Sequence, residues 1–370
     1  MSSKWSKKEA KSLLFDLVST PSYSGNEAQC AEALMNFFQT HQREAWIDEA
    51  GNVHSPSNDA VLLTSHMDTV PGDIPVKLDG DVLWGRGSVD AKGPLAAMAI
   101  SAISTGVSFV GVVSEEHNSY GARHLVKTRE SIPDNVINGE PSGWDGIALG
   151  YRGLLNGTYV AISKSGHTSR PEKNALQDAI DWWSTVEARF KADDWPSEIS
   201  QTHLENSIFE QVTPKPITIT GGISEDGLSV EVTFDVQFRV PPNLSVDEVR
   251  EIADNELTTG TVRWKDMVNP VMMSARTPPA RAFRAAIRTF GGVPRQLRKT
   301  GTSDMNIYSE SWDVPMVTYG PGDSSLDHAP DERISISEFY LSIDVLNNVC
   351  KRLSKLFKKD FKSNKKTNFI

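Results

Sequence analysis

The chain has 370 residues, 38 of them basic and 48 acidic, for a formal net charge of −10. That balance argues against a nucleic-acid or anionic-membrane partner, while 38% hydrophobic and 23% charged residues fit a globular protein long enough for two domains. Two cysteines, Cys30 and Cys350, in no CxxC pattern, argue against a disulfide framework and against a thiolate metal site.

The opening stretch, MSSKWSKKEAKSLLFDL, is charged and then amphipathic, and reads as a first helix over residues 5 to 18 rather than a signal peptide. No apolar run reaches the roughly 18 residues that cross a bilayer, so a cytoplasmic location is expected. A second helix is predicted after Ser24-Gly25-Asn26, with Glu27 in its first turn. Then come a strand at 60–65, a helix at 95–104 introduced by Gly93-Pro94, a strand at 107–114, a helix through GARHLVKT and a strand at 134–140. Strands alternating with helices predict an α/β layer with a largely parallel sheet.

From about residue 153 the pattern changes to β-α-β-β-α-β, with a turn near Glu225-Asp226-Gly227 and Ser245 as a helix N-cap. That order predicts a smaller ferredoxin-like unit. The remaining segments, ARAFRAAIRTF, DVPMVTYGP and a long C-terminal helix, return to the first domain. The expected division is 1–152 and 269–370 for the main domain, with 153–268 inserted. The lysine-rich end, KKDFKSNKKTNFI, reads as a solvated or frayed tail.

The chemistry-bearing residues fall where these strands end. VLLTS runs into His66 and Asp68, two apart and so on one face; FVGVVS runs into Glu115-Glu116; NVINGE ends in Glu140; and Asp90 follows the turn WGRGSVD. Ligand sites in open α/β sheets collect outside the carboxyl ends of strands. So many acids on one rim repel unless a cation sits among them, and a divalent metal is the economical answer. Taken singly, each has a plain structural alternative: a hydrogen-bonded histidine, a solvated acid pair, an N-cap at Asp90, a turn at Glu140-Pro141.

The motifs SHMDTVP, GRGSVDAKGPLAAM, SEEHNSYGA, NGEP, SGHTSRP and SLDHAPDE together resemble the co-catalytic zinc aminoacylase family, which includes acetylornithine deacetylase, succinyl-diaminopimelate desuccinylase, aminoacylase and related carboxypeptidases. The resemblance runs from about residue 10 to 350. ALGYRGLL, KTGTSDMNIY and YGPGDSSLDHAPDE look most like the amino-group-carrier-protein lysine/ornithine hydrolases, the N-acetyl-lysine deacetylase type. The resemblance implies an α/β zinc-peptidase-like catalytic domain with a central, mostly parallel sheet flanked by helices, and an inserted ferredoxin-like α+β lid and dimerisation domain.

It also implies two Zn²⁺, with Co²⁺ or Mn²⁺ as substitutes, and a homodimer. His66 and Glu140 would hold one metal, Glu116 and His328 the other, and Asp90 would bridge them through a residue followed by a cis peptide bond. Asp68 would accept the other His66 N–H and fix its tautomer. Glu115 would be the general acid/base, and His167 would stabilise the oxyanion in the partner subunit's site. Hard imidazole and carboxylate ligands suit these metals, which lower the pKa of a shared water from 15.7 towards about 7.

A substrate α-carboxylate favours a bidentate arginine; Arg239 and Arg152 are the candidates, with the loop of Thr302, Ser303 and Asp304. Asp304 would either face a substrate ammonium or cap the following helix. The expected activity is release of lysine or ornithine from a small N-acyl form or from an acidic amino-group carrier protein. Desuccinylase and di- or carboxypeptidase activity remain alternatives, as does a non-catalytic metal or amino-acid binder, against which an intact Glu115 argues. An acidic carrier would need a basic docking patch, for which Lys164, Arg170 and Lys173 are candidates.

Overall fold

The computed structural model describes residues 5–167, 169, 171–191 and 208–367. It divides into two compact units: one of 1–149, 273–298 and 303–370, the other of 150–272 with 299–302.

In the first unit the strand Asn58–His66 lies at the centre of the sheet. Val61, Leu62 and Leu63 are wholly buried because helices cover both faces, which is why the run is continuously apolar rather than alternating. Parallel to it run Val107–Val112 on one side and Val136–Gly139 on the other, and Met316–Thr318 continues the parallel set. Antiparallel strands border this centre: Val53–Ser55 and Trp46–Ile47 at one side, Gly146–Tyr151 at the other. The sheet is therefore mixed, with the expected parallel part in its middle.

Register sets the rim. His66 pairs with Val112 and Ser65 with Gly139, so these strands end level with one another. Gly139 is glycine because a Cβ there would lie 2.6 Å from Ser65 Cβ. The helix Lys92–Thr105 is buried along nearly its whole length and stops at Gly106, whose φ of 71° is left-handed and whose N–H donates to Ala102 O. The second helix starts at Ala28, with Glu27 at the N-cap rather than in the first turn. At the C-terminus the helix backbone carries on through the lysine-rich end to Thr367.

The second unit holds a four-stranded antiparallel sheet in the order Thr213–Ile223, Ser229–Val240, Gly153–Lys164, Thr261–Val268. With the helices Ala175–Lys191 and Val246–Asn255 this is the expected β-α-β-β-α-β unit. Ser245 caps the second helix in a full capping box with Glu248. Trp182 stacks on Tyr159 at 5.0 Å in the core and donates its indole N–H to Ala253 O.

Candidate metal centre

Three strand ends and one helix start converge in the first unit. His66 terminates its strand and is 1% exposed. Its Nε2 lies 3.2 Å from Asp90 Oδ1 and 3.7 Å from Glu140 Oε2. His328 Nε2 lies 2.9 Å from Glu116 Oε1 and 3.3 Å from Asp90 Oδ2. Asp90 thus offers one oxygen to each imidazole. One ligand atom each from His66, Asp90 and Glu116 fall within 4.8 Å of one another, a metal-binding triad. The Asp90-Ala91 peptide is cis, as the resemblance implies.

Burial disfavours charge on His66, yet Glu140, Asp68 and Asp90 hold its pKa well above the ordinary imidazole value. Hydrogen bonds donated to Asp90 and Glu116 push His328 up to about 10. Burial, then the charge of Glu140, holds Glu115 well above the usual carboxylate range. Burial is also the first cause raising Glu116 and Glu140. Asp90 runs the other way: despite burial, His328 and His66 hold it below its ordinary value. A dense set of hard donors, with Glu115, Glu116 and Glu140 raised and both imidazoles driven towards the cationic form, fits a divalent cation with nitrogen and oxygen ligands.

Asp68 does something the sequence did not reveal. His66 Nδ1 lies 2.9 Å from the Asp68 backbone oxygen and 3.5 Å from its Oδ1, so the main-chain carbonyl is the nearer partner of the ring. The carboxylate is engaged elsewhere: Oδ1 accepts the Glu115 N–H at 3.0 Å, while Oδ2 accepts the Glu116 N–H at 3.1 Å and the Ser24 hydroxyl at 2.6 Å. Asp68 therefore ties the acid pair to the strand that carries His66. From behind, Glu27 accepts from Ser114 N and Oγ at 3.1 and 3.2 Å. Ser114 has φ 59°, a turn that swings Glu115 away from the strand axis.

Glu332 was also missed. Wholly buried, it accepts from Arg86 Nη1 (2.8 Å) and Gly87 N (3.1 Å) on one oxygen, and from Val89 N (2.8 Å) and Asp90 N (3.0 Å) on the other. It locks the Asp90 turn to the segment that brings in His328. The only sequence signal is its place four residues after His328. Replacing Glu332 with Gln turns an amide NH₂ towards backbone donors, and metal affinity should fall about 10–100-fold. Competition against a chelator measures it, and unchanged affinity would remove Glu332 from the site's support.

The substrate candidates are distributed between the units. Ser303 caps the helix Asp304–Ser311, its Oγ accepting from Met305 N at 3.2 Å, so the cap offered as an alternative for Asp304 belongs to its neighbour. Asp304 is buried with Oδ1 unpartnered, and burial pushes its carboxyl up to about 7. Thr302 belongs to the second unit. There Arg152 donates to Thr300 O, Ile208 O and Thr213 Oγ1. Arg239, whose charge acts on Arg152, keeps a buried Nη1 with no hydrogen-bond partner among the described residues. His167 is exposed in the same unit, with Nδ1 2.7 Å from Ser169 Oγ.

A family model described as Peptidase family M20/M25/M40 matches residues 62–352, a span that contains every one of the clustered acids and imidazoles. The chain belongs to this family. The LysW-lysine hydrolase of Deinococcus radiodurans is 37% identical over 361 residues, covering 93% of this chain and 97% of its own. The LysW-lysine/LysW-ornithine hydrolase of Sulfurisphaera tokodaii is 30% identical over 354 residues, covering 94% and 96%. Among solved M20 structures, the metallo-carboxypeptidase Sso-CP2 of Sulfolobus solfataricus superposes with a TM-score of 0.75 at 19% identity, covering 93% of this chain and 99% of its own. The aminopeptidase PepT of Bacillus cereus gives 0.73 at 16% identity, with 94% and 99% covered. Both share the M20 fold of a helix-flanked mixed sheet with an additional small sheet unit. An M20 chain with this triad is a metallohydrolase. Among the described residues, no helix is long and apolar enough to cross a membrane.

Proposed function

We propose that this M20 hydrolase releases lysine or ornithine from a γ-glutamyl conjugate on an amino-group carrier protein, in lysine or arginine biosynthesis. The observation that carries the hydrolytic reading is Glu115. It sits beside a metal-binding triad, its carboxyl is raised in pKa, and no ion pair ties it to either imidazole, whereas Glu116 and Glu140 lie 2.9 and 3.7 Å from one. The carrier reading rests on relatives of 30–37% identity over more than nine-tenths of the chain.

In this reading His66, Asp90 and Glu140 would hold one ion, and Asp90, Glu116 and His328 would hold a second. Zn²⁺ is the first choice, and Co²⁺ or Mn²⁺ would serve the same donors. Bound there, such ions supply Lewis acidity that acidifies water and polarises an amide carbonyl. Glu115 takes the proton from the attacking water and returns it to the departing amine, a cycle for which a carboxyl held above the usual carboxylate range by burial and Glu140 is suited. Asp68 keeps the Glu115-Glu116 turn in place and Glu332 the Asp90 turn. Arg239, with its unpartnered Nη1, and Arg152 form a cationic pair for a substrate carboxylate. Asp304, buried with a free oxygen, faces the substrate's side-chain ammonium, with Thr302 and Ser303 shaping that loop. His167 donates to the oxyanion across a homodimer.

The dimer is supported by the outer strand of the small sheet. Among the described residues Thr213–Ile223 is the edge strand of its sheet and exposes Ile217, Ile219 and Ile223, an arrangement that invites pairing with a second copy. Residues 153–268 would then act as the lid and dimerisation module. A cytoplasmic setting suits free Cys30 and Cys350.

The test is a substrate panel with added zinc or cobalt: acetyl-lysine, acetyl-ornithine, succinyl-diaminopimelate and carrier-linked lysine. The highest kcat/KM is expected on the carrier-linked substrate. A preference for succinyl-diaminopimelate overturns the assignment, and metal binding without any turnover makes the protein a binder.

A further inference from the structure

Residues 276–298 carry six arginines, Arg276, Arg281, Arg284, Arg288, Arg295 and Arg298, and no acidic residue, in a chain with an excess of ten acids. The helix Pro278–Thr289 explains how they are displayed. Ala282, Phe283, Ala286 and Ile287 turn into the core, leaving Arg281 and Arg288, two turns apart on one face, exposed on the other side. Arg284 lies between them and donates from Nη2 to Ala275 O at 3.0 Å. Arg276 is exposed on the lead-in segment. Arg276, Arg281 and Arg288 have no acidic partner among the described residues. In the turn that follows the helix, Val293 is 78% exposed.

Arg295 differs from these three. Its Nη2 lies 2.6 Å from Asp145 Oδ1, and Asp323 and Glu338 also face it. The same atom donates to Ser142 O at 3.3 Å. The basic segment is thereby fastened to the loop that begins two residues after Glu140.

An overall field of this sign repels an acidic protein, so productive encounter needs a local region of opposite potential. A small acyl-amino acid needs no such region. Arginine is enriched at protein interfaces and at their energetic hot spots, and these three arginines are exposed without an acidic partner among the described residues. We propose that Arg276, Arg281 and Arg288, with Val293, form the docking face for an acidic protein, the carrier that presents the amide. This rests on the carrier-linked reading above. The candidates from the sequence fit less well: Lys173 is held by Asp181 at 2.5 Å, and Arg170 lies outside the described residues.

The experiment compares wild type with R276E/R281E/R288E on two substrates, γ-glutamyl-lysine linked to a purified acidic carrier protein and free acetyl-lysine. On the conjugate, kcat/KM should fall about 10–1,000-fold at low salt and lose most of its salt dependence. On acetyl-lysine the two proteins should agree, which also establishes that the variant is folded. R276K/R281K/R288K should keep most of the conjugate activity. Equal activity of wild type and the reversed variant on the conjugate, or equal loss on both substrates, overturns the docking face alone. Failure of wild type to turn over the conjugate while it cleaves acetyl-lysine overturns the carrier reading itself. Tight binding of a DNA duplex by wild type, lost in the reversed variant while conjugate turnover persists, would reassign the surface to nucleic acid.

Discussion

Glu115→Gln should lower kcat on any cleaved substrate by about 1,000-fold or more, while metal content, KM and melting temperature hold or improve. General acid–base catalysis is worth about 10²–10⁴-fold, and in the proposed mechanism one group serves both proton transfers. The substitution is isosteric, so the turn that Asp68 pins through the Glu115 and Glu116 amides is kept. It also deletes a charge that burial and Glu140 already oppose, so it cannot destabilise by exposing an unpaired partner. Glu116→Gln should behave differently, because Glu116 lies 2.9 Å from His328 Nε2: metal retention should suffer along with rate. Metal analysis and steady-state kinetics on both variants separate the roles. Activity surviving in the Glu115 variant would remove that residue from the mechanism.

Which parts of this centre could be read beforehand follows from where their signals lie. His66, Glu115, Glu116 and Glu140 each follow an apolar run, so strand and chemistry are read together, whereas Asp90 follows a glycine-rich turn and His328 was legible only through the motif SLDHAPDE that carries the family resemblance. The β-α-β-β-α-β order was equally visible, because Gly153–Lys164 and Ser229–Val240 alternate buried and exposed positions over long stretches. Trp46–Ile47, Val53–Ser55 and Lys77–Asp79 were not visible, since two or three residues carry no period. Glu332 and the second duty of Asp68 were hidden for another reason. Their partners are backbone amides brought close by the fold: Glu332 meets Val89 across 243 positions. A backbone N–H has no residue identity to recognise. The arginine face was in plain view as composition, but its importance depends on the helix turning Phe283 and Ile287 inward and leaving the arginines outside.

Stripping the metal should destabilise the protein, and the destabilisation should grow as pH rises. In the metal-free site His328 titrates near 10 against an ordinary 6.5, and His66 is raised as well. A raised folded-state pKa contributes stability that is fully present below the ordinary value and lost as pH climbs through the folded one. Glu115, Glu116 and Glu140, raised above 4.5, and Asp304, raised to about 7, act in the same direction: the folded state holds their protons more tightly, and stability declines as those protons leave. Asp90 has the opposite sign, but its stabilisation is lost only as pH falls below its ordinary 3.8, outside the working range. The metal-free protein should therefore melt progressively lower from pH 6.5 towards 10. Metal needs these ligands deprotonated and binds more tightly as pH rises, contributing about 4 kcal/mol at a thousandfold excess over Kd. The difference in melting temperature between loaded and chelator-treated protein should widen across that window. Scanning calorimetry at pH 6, 7.5 and 9 measures it. A gap that narrows with pH would mean that the imidazoles and acids brought together around Asp90 do not share a cation.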